Sequence, residues 1–152
     1  MLYVITALKA EAQAFVEKFK LIEYKNENIA LFISGIGKEN MYNTTLKVLK
    51  SFQEDDKILN IGICGATTSY KIGQLIDARV EKITCVDYEV TQSEYSIVDM
   101  ESAGFIEATK NIKNSYIFKV VSDHFEPHAA TKEKAKKLIF DKIDEIMKEI
   151  QA

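Results

Sequence analysis

The sequence is poor in the residues that punctuate or staple a chain. Its 152 residues include one proline, six glycines and two cysteines. Without a Pro-rich or Ser/Gly-rich stretch there is no linker, and there is no internal repeat or low-complexity tract. One domain spanning residues 1–152 is expected, long enough to bury a core without staples. Cys64 and Cys85 lie in apolar contexts with no thiol-motif spacing, which argues against a disulfide framework and points to a reducing, cytoplasmic setting. Basic residues are not in excess: Lys and Arg number 20 against 23 Asp and Glu, a net charge of −3. That balance argues against a nucleic-acid partner and against an anionic membrane surface. No apolar run approaches the roughly 20 residues that a membrane-spanning helix needs. The apolar N-terminus, Met1 to Leu8, has no basic segment before it and reads as a first strand rather than a signal peptide.

What is present is an alternation of two periodicities. Leu2 to Leu8, Ile58 to Ile63 and Tyr116 to Val121 are short, nearly continuous apolar runs, as in buried strands. Leu75 to Ile83 is strand-like and partly alternating. Leu21 to Tyr24 and Ile29 to Ile33 flank Lys25-Asn-Glu-Asn28, a hairpin pattern. Between these runs the spacing turns helical. Ala12, Phe15, Val16 and Phe19 share one face, and Met41, Thr45, Val48, Leu49 and Phe52 share another. Met100 to Ala108 also reads as helix, and one long helix is expected from about Thr131 to Ile150. Strands alternating with helices predict a three-layer α/β sandwich around a central, mostly parallel or mixed sheet. In such folds ligands collect beyond the C-terminal ends of the strands.

Several segments near those ends carry candidate chemistry. Gly35-Ile-Gly-Lys-Glu39 lacks the spacing of a P-loop and of a dinucleotide fingerprint. It is either a tight strand-to-helix turn or a loop whose amides face a ligand. Gly62-Ile-Cys-Gly65 permits close backbone approach. His124-Phe-Glu-Pro-His128 holds two histidines, but Pro127 interrupts any helix, so the pattern is a poor metal site. Three carboxylates stand out: Glu11 after the first strand, Glu101 in Val98-Asp-Met-Glu-Ser-Ala103, and Asp123 closing Val120-Val-Ser-Asp123. Each alone reads as a cap or a solvated acid. Together they fall where an α/β site forms.

Six segments, in order along the chain, resemble one superfamily. These are Thr6-Ala-Leu-Lys-Ala-Glu11-Ala, Ser34-Gly-Ile-Gly-Lys-Glu-Asn40, Leu59-Asn-Ile-Gly-Ile-Cys-Gly-Ala66, Ile72-Gly-Gln-Leu75, Val98-Asp-Met-Glu101-Ser-Ala and Val121-Ser-Asp123. They are similar to motifs of the purine nucleoside phosphorylase and 5′-methylthioadenosine/S-adenosylhomocysteine nucleosidase superfamily. The resemblance implies cleavage of the N-glycosidic bond of a small-molecule purine nucleoside, with no metal or organic cofactor. It implies that Asp123 serves the purine N7, that Glu11 activates water, and that Met100 and Glu101 hold the ribose. Ser122, Lys119, Gly65 and Ala66 are the further substrate-binding positions it implies, and a homodimer is the expected assembly. Phosphorolytic members carry Arg where this chain has Asn60, and Arg79 is its sole arginine, so water is favoured over phosphate. A phosphorylase, or an inactive homologue that binds nucleoside or only dimerises, are the alternatives. The chain is shorter than typical members between Leu75 and Val98, where Glu89, beside Tyr88, stands at an expected aromatic position. Lys119 stands where an arginine is usual.

Overall fold

A computed structural model describes residues 1–92 and 94–151. Its elements follow the apolar runs. The strands are β1 (Leu2–Thr6), β2 (Ile29–Ile33), β3 (Lys57–Ala66), β4 (Leu75–Asp77), β5 (Thr84–Cys85), β6 (Ile97–Asp99) and β7 (Ser115–Asp123). The helices are α1 (Lys9–Phe19), α2 (Lys38–Leu49), α3 (Ser102–Ala108), α4 (Lys132–Phe140) and α5 (Ile143–Gln151). A 3₁₀ turn covers Pro127–Ala129.

β2, β1, β3 and β7 lie side by side and parallel, and β4 adds antiparallel to the outer edge of β7. β7 follows one edge of β3 almost throughout. The other edge is shared: β1 pairs with its first half, and β6 pairs antiparallel with Gly65 and Ala66 at its end, with β5 beyond. The result is an α/β sandwich with a mixed, mainly parallel sheet. Alternation along β3 assigns the layers. Leu59 and Ile61 pack with Phe15 of α1, Ile139 of α4 and Ile143, Ile146 and Ile150 of α5. Ile58 faces the opposite side, with Met41 and Val48 of α2 and Phe105 of α3. Gly104 brings α3 onto the backbone of α2: a Cβ there would collide with the Lys38 carbonyl.

Four expectations change in detail. The helix expected over Thr131 to Ile150 is two helices, because at Asp141–Lys142 the ladder tightens and the Lys142 N–H bonds the Ile139 carbonyl. The hairpin is reduced to isolated bridges, Ile22 to Lys25 and Lys25 to Ala30. There the chain turns tightly through left-handed Glu23 and Tyr24, and Asn26 Oδ1 takes the Asn28 and Ile29 N–H groups. The strand expected over Leu75 to Ile83 stops at Asp77, whose carboxylate takes the Arg79 N–H and guanidinium. Met100 lies outside α3, which begins at Ser102 because the Asp99 carboxylate takes both the N–H and the hydroxyl of Ser102.

Candidate active site

Glu11 sits in the first turn of α1, and its carboxylate folds back over the end of β1. Oε1 accepts from the Ala7 and Leu8 N–H groups, at 3.1 and 2.8 Å. Oε2 reaches across to β3 and accepts from the Ile63 N–H at 2.9 Å. This seat requires glycine at position 62. A Cβ there would lie 2.9 Å from Glu11 Oε2 and 3.4 Å from Lys119 Nζ. The close approach read from Gly62-Ile-Cys-Gly65 is therefore made by a carboxylate. Burial pushes the Glu11 carboxyl up to about 7, against the opposing pull of Lys119 and of the Ile63 and Leu8 N–H groups.

Glu101 arrives differently from the other acids. β6 runs antiparallel to β3, so its C-terminal end does not lie on the edge shared by the parallel strands. β6 instead carries its end back toward the middle of β3. Glu101 follows it, and its Oε2 accepts from the Gly37 N–H at 2.8 Å. The amide of the Gly35-Ile-Gly37 loop thus holds a carboxylate of the protein. Gly37, at φ 101°, is also the N-cap of α2, so Glu101 takes the positive end of that helix. Burial raises the Glu101 carboxyl above its ordinary value, while Lys119 pulls it down.

Beneath these groups lies a buried ion pair. Lys119 Nζ is 3.1 Å from Asp99 Oδ2, with the two side chains 1% and 0% exposed. Burial alone would lower the lysine. The charges of Asp99, Glu101 and Glu11 together outweigh it and raise Lys119 above its ordinary value, so the ammonium stays charged. Asp123 closes β7. Its Oδ2 lies 2.7 Å from the Ser122 hydroxyl and its Oδ1 accepts from the Glu126 N–H at 2.9 Å. His124 Nδ1 lies 3.0 Å from the Ala66 carbonyl.

These groups surround a cavity of about 180 Å³, partly open to solvent, lined by Glu11, Asp99, Glu101 and Asp123. Of the residues singled out in the sequence, Met100, Ser122 and Gly65 also line it. Lys119 and Ala66 do not. Lys119 is 1% exposed beneath the acids, and Ala66 is fully buried, with its carbonyl turned to His124. Any effect of Lys119 on a ligand passes through the acids it neutralises. Tyr88 and Glu89 line the cavity, and Glu89 is exposed. Cys64 also lines it, but burial pushes its thiol well above the ordinary range, which makes it a poor nucleophile. Both cysteines are free. Among the described residues no group of His, Cys, Asp and Glu is arranged to hold a metal ion, and no helix is long and apolar enough to cross a membrane.

Asp99 and Phe125 are among the lining residues that the sequence reading does not single out. Asp99 was present in the Val98-Asp-Met-Glu101 segment, and its position two residues before Glu101 was the signal available. Phe125 lines the cavity from the turn after β7, with φ 64°. Nothing in the spacing of the sequence marks it.

No protein-family model and no curated protein sequence matches the chain. Solved structures do. A provisionally assigned 5′-methylthioadenosine/S-adenosylhomocysteine nucleosidase of Francisella philomiragia is 17% identical, with a TM-score of 0.78 over 99% of this chain and 98% of that one. The enzyme of the same description from Neisseria meningitidis, in complex with methylthio-immucillin-A, is 16% identical, with a TM-score of 0.76 over 97% and 98%. The futalosine hydrolase of Helicobacter pylori is 15% identical, with a TM-score of 0.72 over 95% and 97%. The architecture shared end to end with these proteins is what the six sequence segments pointed to: the chain has the nucleoside phosphorylase/nucleosidase fold.

Proposed function

We propose that the protein is a nucleosidase that hydrolyses the N-glycosidic bond of a purine nucleoside of the methylthioadenosine/S-adenosylhomocysteine type. The observation that carries this reading is the convergence of Glu11, Glu101 and Asp123, from three separate strand ends, on one cavity. Breaking the bond leaves positive charge on the ribose and negative charge on the base. Glu101, with Met100 beside it, holds the ribose, and its carboxylate favours the charge that develops there. Asp123 shares a proton with N7 of the departing purine, and the Ser122 hydroxyl and the Glu126 N–H fix its orientation. Gly65 leaves room for the base to approach that carboxylate. Glu11, with a carboxyl near 7, is poised to take a proton from water at neutral pH. Three of its roughly four acceptor positions are already filled by N–H groups, which leaves about one for the water.

The charges support water rather than phosphate as nucleophile. Among the described residues neither lysine nor arginine lines the cavity, and the buried Lys119 is committed to Asp99. Asn60 lies buried in β3 with its amide on the Ile5 carbonyl. A phosphate dianion would meet lining carboxylates and, among the described residues, no guanidinium. The open side of a small cavity also favours a second copy of the chain as its lid, so we propose a homodimer. Light scattering that shows only monomer at micromolar concentration overturns that part.

The test is incubation with 6-amino and 6-oxo purine nucleosides, with and without inorganic phosphate, following free base and sugar. Free base with ribose, independent of phosphate, is expected. Ribose 1-phosphate would make the protein a phosphorylase, and no base release from any nucleoside would leave it a binding protein or an inactive homologue.

A further inference from the structure

The turn after β7 places a bulky aromatic where the backbone resists it. Phe125 has φ 64°, in the left-handed region that favours glycine. A bulky residue there is an outlier that persists only where its surroundings over-determine it. Those surroundings are visible. On one side, His124 Nδ1 lies 3.0 Å from the Ala66 carbonyl. On the other, Asp123 Oδ1 takes the Glu126 N–H at 2.9 Å, and Pro127 then starts a 3₁₀ turn.

The strained residue faces the site. Phe125 lines the cavity, and its ring lies across Gly65: a Cβ at Gly65 would come 3.3 Å from Phe125 Cδ1 and 3.4 Å from Asp123 Oδ1. The missing side chain at position 65 therefore seats the ring and the carboxylate next to each other. Tyr88 also lines the cavity but is 73% exposed, on the segment after β5. Phe125 is the ring held in place from both sides.

We infer that Phe125 is a substrate-contacting residue: its ring is the face against which the purine lies while a ring nitrogen meets Asp123. This rests on the proposed nucleosidase reading and assigns the base end of the cavity. The heterocycle that reaches the Asp123 carboxylate passes over Gly65 and lies beside the ring. Contact with an aromatic face holds any purine and also keeps water from the carboxylate, so it favours the shared proton.

Adenine binding to the wild type and to variants tests this, beside turnover of 5′-methylthioadenosine. F125G removes the ring and places at position 125 the residue that its backbone favours, so the fold is expected to survive. Adenine is expected to bind F125G on the order of 10- to 100-fold more weakly, with KM for the nucleoside rising similarly. F125Y is expected to restore both, and F125L, apolar but smaller and without a π face, to restore neither. If F125G or F125L bound adenine as tightly as the wild type, while the wild type cleaved nucleosides, the assignment of Phe125 would fall and the nucleosidase reading would stand. A loss confined to 5′-substituted nucleosides, with adenine affinity unchanged, would also overturn it, placing the ring at the sugar's 5′ end. A wild type that neither binds adenine nor cleaves any nucleoside overturns both.

Discussion

The Glu11 carboxyl links the stability of the fold to its chemistry, and replacing it with glutamine separates the two. In the unfolded chain the group has its ordinary value of 4.5, and in the folded protein burial pushes it up to about 7. The group is buried, 2% exposed, so solvent screening does not discount the difference. Below pH 4.5 the carboxyl is protonated in both states, and its contribution to stability is fully present. Between 4.5 and about 7 the unfolded chain gives up the proton and the folded one keeps it. Stability therefore falls as pH rises through that window, then levels off once both states are ionised. The whole span amounts to about 3 kcal/mol, a large share of the roughly 5–15 kcal/mol that a domain possesses. Glu11→Gln abolishes this dependence. Its amide oxygen keeps the Ala7 and Leu8 N–H groups, but its NH₂ faces the Ile63 N–H, which adds a cost independent of pH. Urea unfolding of both proteins between pH 4 and 8 isolates the carboxyl. The wild type should lose about 3 kcal/mol relative to the variant across that range, and its kcat/KM should rise through pH 7 as the base is freed. A stability difference that stays constant with pH would refute the account of Glu11 as a carboxyl lifted by burial.

The other acids and their partner give sharper outcomes. Asp123→Asn keeps the shape and the Glu126 N–H bond, so the melting temperature should hold while turnover falls on the order of 10²-fold or more. Full activity with a lowered melting point would make Asp123 a turn cap. Glu101→Gln can still accept from Gly37 N–H but presents no charge to the ribose, so KM should rise and kcat fall together, read by steady-state kinetics. Lys119→Met leaves Asp99 buried and unpaired and should lower stability by about 3–5 kcal/mol in a urea titration, with Asp99→Asn in the same chain restoring part of it. Gly104→Ala forces a methyl group against the Lys38 carbonyl. The start of α2 must shift and take with it the Gly37 amide that holds Glu101, so stability and sugar affinity should fall together.

How far the sequence carries the site depends on how local each signal is. β1, β3 and β7 were legible because a strand buried on both faces is a nearly continuous run of apolar residues. Glu11 and Asp123 were legible because they follow those runs directly. Glu101 was legible as a residue but not as a place. It reaches the cavity because β6 turns antiparallel against Gly65 and Ala66, a pairing that no window of sequence contains. Lys119, inside β7, was reached only through the resemblance, as the residue standing where an arginine is usual. Its partner Asp99 is 20 positions earlier in the chain and two strands away in the sheet, across β3. The left-handed turn at Phe125 is set by hydrogen bonds to Ala66 and Glu126, and the spacing of residues 123–128 suggests only a proline-broken histidine pair. β4 ends early for an equally unreadable reason: the local clamp of Asp77 on Arg79 outweighs the apolar pattern that continues to Ile83.

The arrangement gathers acids around one cavity at a cost to stability. Glu11, Glu89, Asp99, Glu101 and Asp123 line it, and Lys119, whose charge offsets Glu11, Asp99 and Glu101, lies beneath and not in it. A fold selected for stability alone would replace Lys119 and Asp99 with apolar residues of similar volume, since a buried pair rarely exceeds such a replacement in stability. It would also have no reason to raise Glu11 to about 7. On the proposed nucleosidase reading, each departure has a consequence for the ribosyl cation that would form in the cavity. Lys119 offsets the burial that raises Glu11 and Glu101, pulling both carboxyls back toward the ionised form. Because the ammonium is already bound to Asp99, it does not present itself to the cation or attract an anion in its place. The carboxylates are thus held ready before a ligand arrives, and their reorganisation is not left to the moment of reaction.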